Sequence, residues 1–310
     1  MPIDRTSIPI IDAHHHYWDP ATNYHPWLRD EPPIPFRYGD YSSIRKPFLP
    51  ADYKRLSKNL RIRATVTMEG EFDENDLVTE SARMSQLASE QDAPAAHVAR
   101  AILHKPDAPD IIRQHAAFPI VRGIRHKPAA ASAPNTIEHA NPGSMSDPAW
   151  QQGYAALQPN NLHFELQAPW WHVTELMQLI EKFPETPVVI NHAFMPVDRS
   201  PDALKSWQDA ISLAGTAPNV TIKISGIGVS GKPWTLADQR PIIDACIDTF
   251  GPKRCIFASN FPVDSLVGSF DDIYGGFLDA TADLDQSDRY AMFHDNVIRI
   301  YRLDISQLNV

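Results

Sequence analysis

The chain has 310 residues, 43% of them hydrophobic, enough to bury a large core. Lys and Arg number 28 against 38 Asp and Glu, and no block of consecutive basic residues could track a phosphate backbone, which argues against nucleic acid as a partner. No apolar run reaches the ~18 residues that span a bilayer, and the opening MPIDRTSIPI lacks the layout of a secretory signal, so no membrane association is expected and the cytoplasm is the expected location.

Eight short β-branched runs recur along the chain, at 8–16, 64–69, 98–103, 121–126, 162–167, 188–192, 220–225 and 255–260. The first ends in three histidines, His14, His15 and His16. Residues 17–50 follow it, rich in Pro, Tyr, Trp and Phe, before a helix expected at 51–59. Loops of that length are usually functional, and this one is a candidate lid. Helical spacing of apolar residues then marks 74–91, 173–182, 201–214 and 237–250. Strands alternating with helices, with no Gly-rich dinucleotide fingerprint after any of them, predict a single α/β domain over 1–310 built as a (β/α)8 TIM barrel. Two cysteines, Cys246 in a late helix and Cys255 opening the last strand, are too few for a disulfide framework.

In such a barrel the C-terminal strand ends carry the chemistry. His14 and His16 are two apart, so both project into the barrel mouth while His15 turns to the helical shell and is expected to find a hydrogen-bond partner there. His192 ends the sixth run, and Asp264 follows the eighth, which barrel closure returns to the side of the first. Three histidines and a carboxylate converging there suit one divalent metal such as zinc, with an open position for water, and equally suit a metal-free acid/base site. Of Arg122 and Arg125, three apart on the fourth run, only one can face the site. Arg125 is nearer the strand end and is the candidate clamp for a substrate carboxylate. Glu69, Glu165, Gln167 and Asn191 are further candidates for ligand contacts, with Trp170, Trp171 and His172 as pocket wall.

At these residues the chain resembles the amidohydrolase superfamily, in the branch of 2-pyrone-4,6-dicarboxylate lactonase and the L-fucono- and L-rhamnono-lactonases. IDAHHHYWDP is similar to that branch's first-strand signature, VRGIRH to its fourth, HFELQ to its fifth, VVINHAFMP to its sixth, IKISG to its seventh and FASNFPVD to its eighth; DNVIRIYRL resembles its closing helix. The resemblance implies a lactonase, a hydrolase acting on carboxylic ester bonds. The substrate would be a small carboxylated lactone of the sugar-acid or pyrone and muconolactone type, with Asp264 the base that activates water. His14, His16, His192 and Asp264 would be the ligands if one metal ion is bound. Two metals are not expected, because strand four offers Arg125 and His126, and strand five Glu165 and Gln167, where binuclear relatives carry a lysine or glutamate and a histidine. A homo-oligomer is compatible with the sequence. Two other readings stay open: a metal-dependent non-oxidative decarboxylase, disfavoured because His163 stands at the wrong end of strand five, and a non-catalytic barrel that binds a sugar acid.

Overall fold

A computed structural model describes residues 6–304 and 306. Its eight parallel strands are β1 (Ile10–His15), β2 (Ile62–Met68), β3 (Ala96–Arg100), β4 (Val121–His126), β5 (His163–Leu166), β6 (Val188–Ile190), β7 (Val220–Ile224) and β8 (Cys255–Phe257), each paired with the next. The helices are α1 (Pro26–Arg29), α2 (Pro50–Leu56), α3 (Leu77–Gln91), α4 (Ala108–Ala116), α5 (Pro148–Tyr154), α6 (Val173–Lys182), α7 (Pro201–Gly215), α8 (Leu236–Phe250), α9 (Phe270–Ala280), α10 (Gln286–Tyr290) and α11 (Asn296–Tyr301). This is the expected (β/α)8 barrel. Among the described residues no helix is long and apolar enough to cross a membrane. Cys246 and Cys255 are buried and free.

Closure depends on the end of β8, which is only three residues long. Beyond it, Phe261 bridges His15, the His16 N–H donates to the Phe261 carbonyl (2.8 Å) and the Asn260 N–H to the His14 carbonyl (2.8 Å). The buried Asp12 carboxylate locks this seam. It accepts from the Ser259 N–H (2.8 Å), the Ser259 hydroxyl (2.5 Å) and the Tyr53 hydroxyl of α2 (2.8 Å).

Ile11 and Ala13 pack inside the barrel with Val66, Val98 and Ile256, so Asp12 between them faces outward. An irregularity in the β1–β2 register between Asp12 and His15 shifts the alternation, which turns His14 and His16 inward. His15 faces the shell and packs on Tyr17 (4.5 Å between centroids) and Tyr53 (4.6 Å). Ring packing replaces the side-chain hydrogen bond expected for it.

The third strand runs two residues earlier than the sequence suggests and ends at Arg100. Residues 101–103 prolong the apolar run and stay buried, but they already turn, the Lys105 N–H donating to the Ile102 carbonyl (2.9 Å). Gly153 of α5 packs on that turn so closely that a Cβ would lie 2.2 Å from the Leu103 carbonyl oxygen.

Replacing Asp12 by Ala takes this acceptor from two buried hydroxyls, of Tyr53 and Ser259, and two buried N–H groups, of Ser259 and His14. Equilibrium urea unfolding of Asp12→Ala is expected to show a loss of roughly 3–5 kcal/mol. A loss below about 1 kcal/mol, the worth of one ordinary hydrogen bond, would show that the seam holds without it.

Candidate active site

The mouth of the barrel holds a cavity of about 290 Å³. His16 and His192 line it from the strand ends, Arg125 and Gln167 from the side, Asn260 and Val263 from the loop after β8, and Trp27, Ile34, Pro35, Phe36 and Arg37 from the loop between β1 and α2. That loop is built on its own aromatic packing, with Trp27 stacked on Phe36 at 5.5 Å and the Trp27 N–H donating to the Gly70 carbonyl (2.8 Å). It therefore forms the wall opposite the histidines.

His14 lies 5.2 Å from His16 and 4.8 Å from His192, centroid to centroid. Burial holds all three imidazoles far below their ordinary pKa, aided by Lys223 at His14, Arg125 at His16 and Arg37 at His192. They are neutral at physiological pH. The His16 Nδ1–H donates to the Met68 carbonyl (3.2 Å), which leaves its Nε2 lone pair for the cavity. His192 pairs through Nδ1 with the Ser225 hydroxyl (3.0 Å). It stands at positive φ in a run of four such residues, 192–195, and Gly226 makes room for its ring: a Cβ there would meet Nδ1 at 2.4 Å.

Asp264, 1% exposed, sits behind Asn260 and Val263. Its Oδ1 accepts from the Asn260 amide (2.6 Å) and the Tyr38 hydroxyl (3.2 Å), whereas its Oδ2 has no donor. Burial pushes the carboxyl up to about 6, against the opposing pull of Arg37, Asn260 and Tyr38. A carboxyl raised this far exchanges its proton near neutrality.

Arg125 is 3% exposed and committed to the protein. Its Nε donates to Glu69 Oε1 (2.6 Å), Nη2 to the Glu69 carbonyl (2.7 Å), and Nη1 to Gln167 Oε1 (3.2 Å) and toward His14 Nε2 (3.4 Å). Arg122 points out of the barrel. Glu165 and Asn191 lie beneath the cavity rather than around it. Glu165 accepts from Lys223 (2.8 Å), Asn191 (2.6 Å) and Tyr301 of α11 (2.6 Å), all fully buried. Burial alone would raise Glu165, but Lys223 beside it more than reverses this and keeps the carboxyl ionised. Trp171 is not in the cavity wall. The turn after β5 swings it outward, where its N–H donates to the Ala131 carbonyl (3.0 Å) and pins the loop after β4, while the His172 Nε2 accepts from the Ala131 N–H (3.0 Å).

The sequence pattern of the amidohydrolase family matches residues 11–303. The chain belongs to that family. It is 35% identical to an uncharacterized protein of Sinorhizobium fredii over 96% of this chain and 100% of that one. An L-fucono-1,5-lactonase of Burkholderia ambifaria is 29% identical over 95% of this chain and 96% of its own. A zinc-bound amidohydrolase crystal structure from Burkholderia multivorans has the same fold, at a TM-score of 0.75 and 23% identity over 95% of this chain and 99% of that one.

Zinc is thus held by a relative of this fold, and the donor set here can be tested against it. His16 Nε2 and Asp264 Oδ2 are free electron pairs, but His14 Nε2 faces the Arg125 guanidinium, and Lys223 adds a second cation beside it. Among the described residues no three His, Cys, Asp or Glu side chains approach closely enough to hold a metal ion. His14, His16, His192 and Asp264 therefore do not fit a metal as one set.

Sequence reasoning missed Lys223, which alternation in IKISG places on the inner face, and Arg37 and Tyr38, which sit in a loop without periodicity. A carboxyl NMR titration is expected to give Asp264 a midpoint near 6, and Tyr38→Phe, which removes a donor to the ionised form, should move it higher. A midpoint near the ordinary ~4 would contradict the buried setting described.

Proposed function

We propose that the protein is a hydrolase that opens a small lactone to the hydroxy acid, with Asp264 as the base. The observation that carries this reading is the buried Asp264 carboxylate, whose Oδ1 is fixed by Asn260 and Tyr38 while Oδ2 is left without a donor. In this reading the donor that Oδ2 lacks is the water to be activated. The resemblance to lactonases along nearly the whole chain supports the same chemistry.

Asp264 Oδ2 takes a proton from this water, and the hydroxide attacks the ring carbonyl. The carbonyl oxygen gains charge facing the Arg125 guanidinium and, where the Ser225 hydroxyl donates to His192 Nδ1, the His192 Nε2–H. Collapse of the tetrahedral intermediate breaks the bond to the ring oxygen, and protonated Asp264 returns its proton to the departing alkoxide. His16 offers its Nε2 as an acceptor that orients water or substrate, and His14 packs against both histidines and Arg125. Glu69 and Gln167 hold Arg125 in place. Asn191 secures the floor, and Trp171 steadies the loop after β4.

Decarboxylation fits less well. The histidine it would need on strand five is His163, which begins β5 at the opposite end of the barrel. Its ring packs against Tyr301 (5.0 Å) and occupies the place of any Cβ on Gly123. A barrel that only binds sugar acids has no need of a carboxylate raised toward neutrality.

Asp264→Asn is expected to lower kcat by about 10²–10⁴-fold on any lactone the enzyme opens, the usual worth of a positioned base. Full activity in that variant would refute the role. Because the ionised carboxylate is the active form, kcat/KM should rise with pH through about 6 and fall roughly tenfold per unit below it. Dialysis against a chelator should leave kcat within about twofold, since the step uses the chain's own groups. A loss restored by zinc would contradict it.

A further inference from the structure

The charges around the cavity do not balance. Of the three cations that line it, Arg125 is paired with Glu69 and Lys127 with Glu71. Arg37 is in salt-bridge contact with no carboxylate among the described residues; Asp264 feels its charge but does not touch it. Its Nη2 donates to the carbonyls of Gly226 (2.6 Å) and Gly228 (3.4 Å), and its guanidinium lies over the Tyr38 ring at 4.4 Å. These contacts fix its position and leave Nε and Nη1 without protein acceptors. A half-buried guanidinium held in place with two donors open is a preformed seat for a carboxylate.

Its place in the fold ties it to the reacting end. The loop after β7 that anchors Arg37 also makes room for the His192 ring at Gly226, and the next residue, Tyr38, bonds Asp264. The cavity is correspondingly poor in free carboxylates to receive sugar hydroxyls. Glu71, the acidic residue among those lining it, is ion-paired with Lys127.

We propose that Arg37 is the specificity-determining residue of this site, and that the substrate is a lactone bearing a carboxylate which docks on Arg37 with the ring carbonyl turned toward Asp264. This rests on the lactone-hydrolase reading. Arg125, first read as the carboxylate clamp, has its donors engaged with Glu69 and Gln167, and in the proposed mechanism it acts on the carbonyl through its charge alone.

The test is a pair of lactones that differ only in carrying a carboxylate or its carboxamide. The wild-type enzyme is expected to prefer the carboxylate by about 10²-fold in kcat/KM, within the range of one charge-assisted bidentate contact. Arg37→Met should bring that ratio close to one, chiefly through KM, and Arg37→Lys should keep part of it. An unchanged ratio in Arg37→Met, or no preference in the wild type, would overturn the assignment. Calorimetric titration with glutarate separates this from failure of the lactonase reading. If the wild type opens no lactone, glutarate binding that weakens by about tenfold or more in Arg37→Met still supports the anion seat. Equal binding by both proteins rejects it.

Discussion

The way the last strand meets the first fixes where His14, His16 and Asn260 stand, and through Asn260 it fixes Asp264. β8 is too short to close the barrel by its own ladder, so closure falls to the chain beyond it and to the Asp12 carboxylate, which takes two hydrogen bonds from Ser259 and one from Tyr53. With the His14 N–H at 3.3 Å, four donors on one buried carboxylate replace the water it gives up. The same seam bonds Asn260 to His14 and Phe261 to His16, some 245 residues away in sequence, and Asn260 in turn holds Asp264. Structure and chemistry share one anchor.

Within the mouth, burial and charge push the histidines and Asp264 in opposite directions. Lys223, Arg125 and Arg37 each stand beside one of the histidines, and burial together with these cations keeps the imidazoles neutral. Imidazoles held so far below their ordinary pKa are weak bases, and the proposed mechanism gives proton transfer to the carboxyl. Asp264 is buried enough to be pushed up to about 6, yet held by Asn260 and Tyr38 so that its second oxygen stays open. The floor below is closed by Lys223, Glu165 and Tyr301, whose hydroxyl reaches Glu165 from α11.

The barrel was legible because alternating strands and helices have distinct periods, and closure then predicts which distant ends meet. His14 and His16 were placed inward by simple alternation, although the structure reaches that outcome through a register irregularity that the sequence does not reveal. The errors have physical causes. The apolar run at 101–103 reads like strand because buried turns and buried strands share a composition, and Trp171 reads like a pocket wall because a strand end gives no indication of where the following turn swings. Arg37 and Tyr38 were invisible for a different reason: a loop held by aromatic packing has no period from which a side chain's direction can be inferred.

The central claim, that a base-activated water attacks the lactone carbonyl, is tested most directly by turnover of a lactone panel in ¹⁸O-labelled water. The account predicts that a lactone is opened with one labelled oxygen in the new carboxylate and none in the new hydroxyl. Label in the hydroxyl, release of carbon dioxide, or inertness toward every lactone would contradict it.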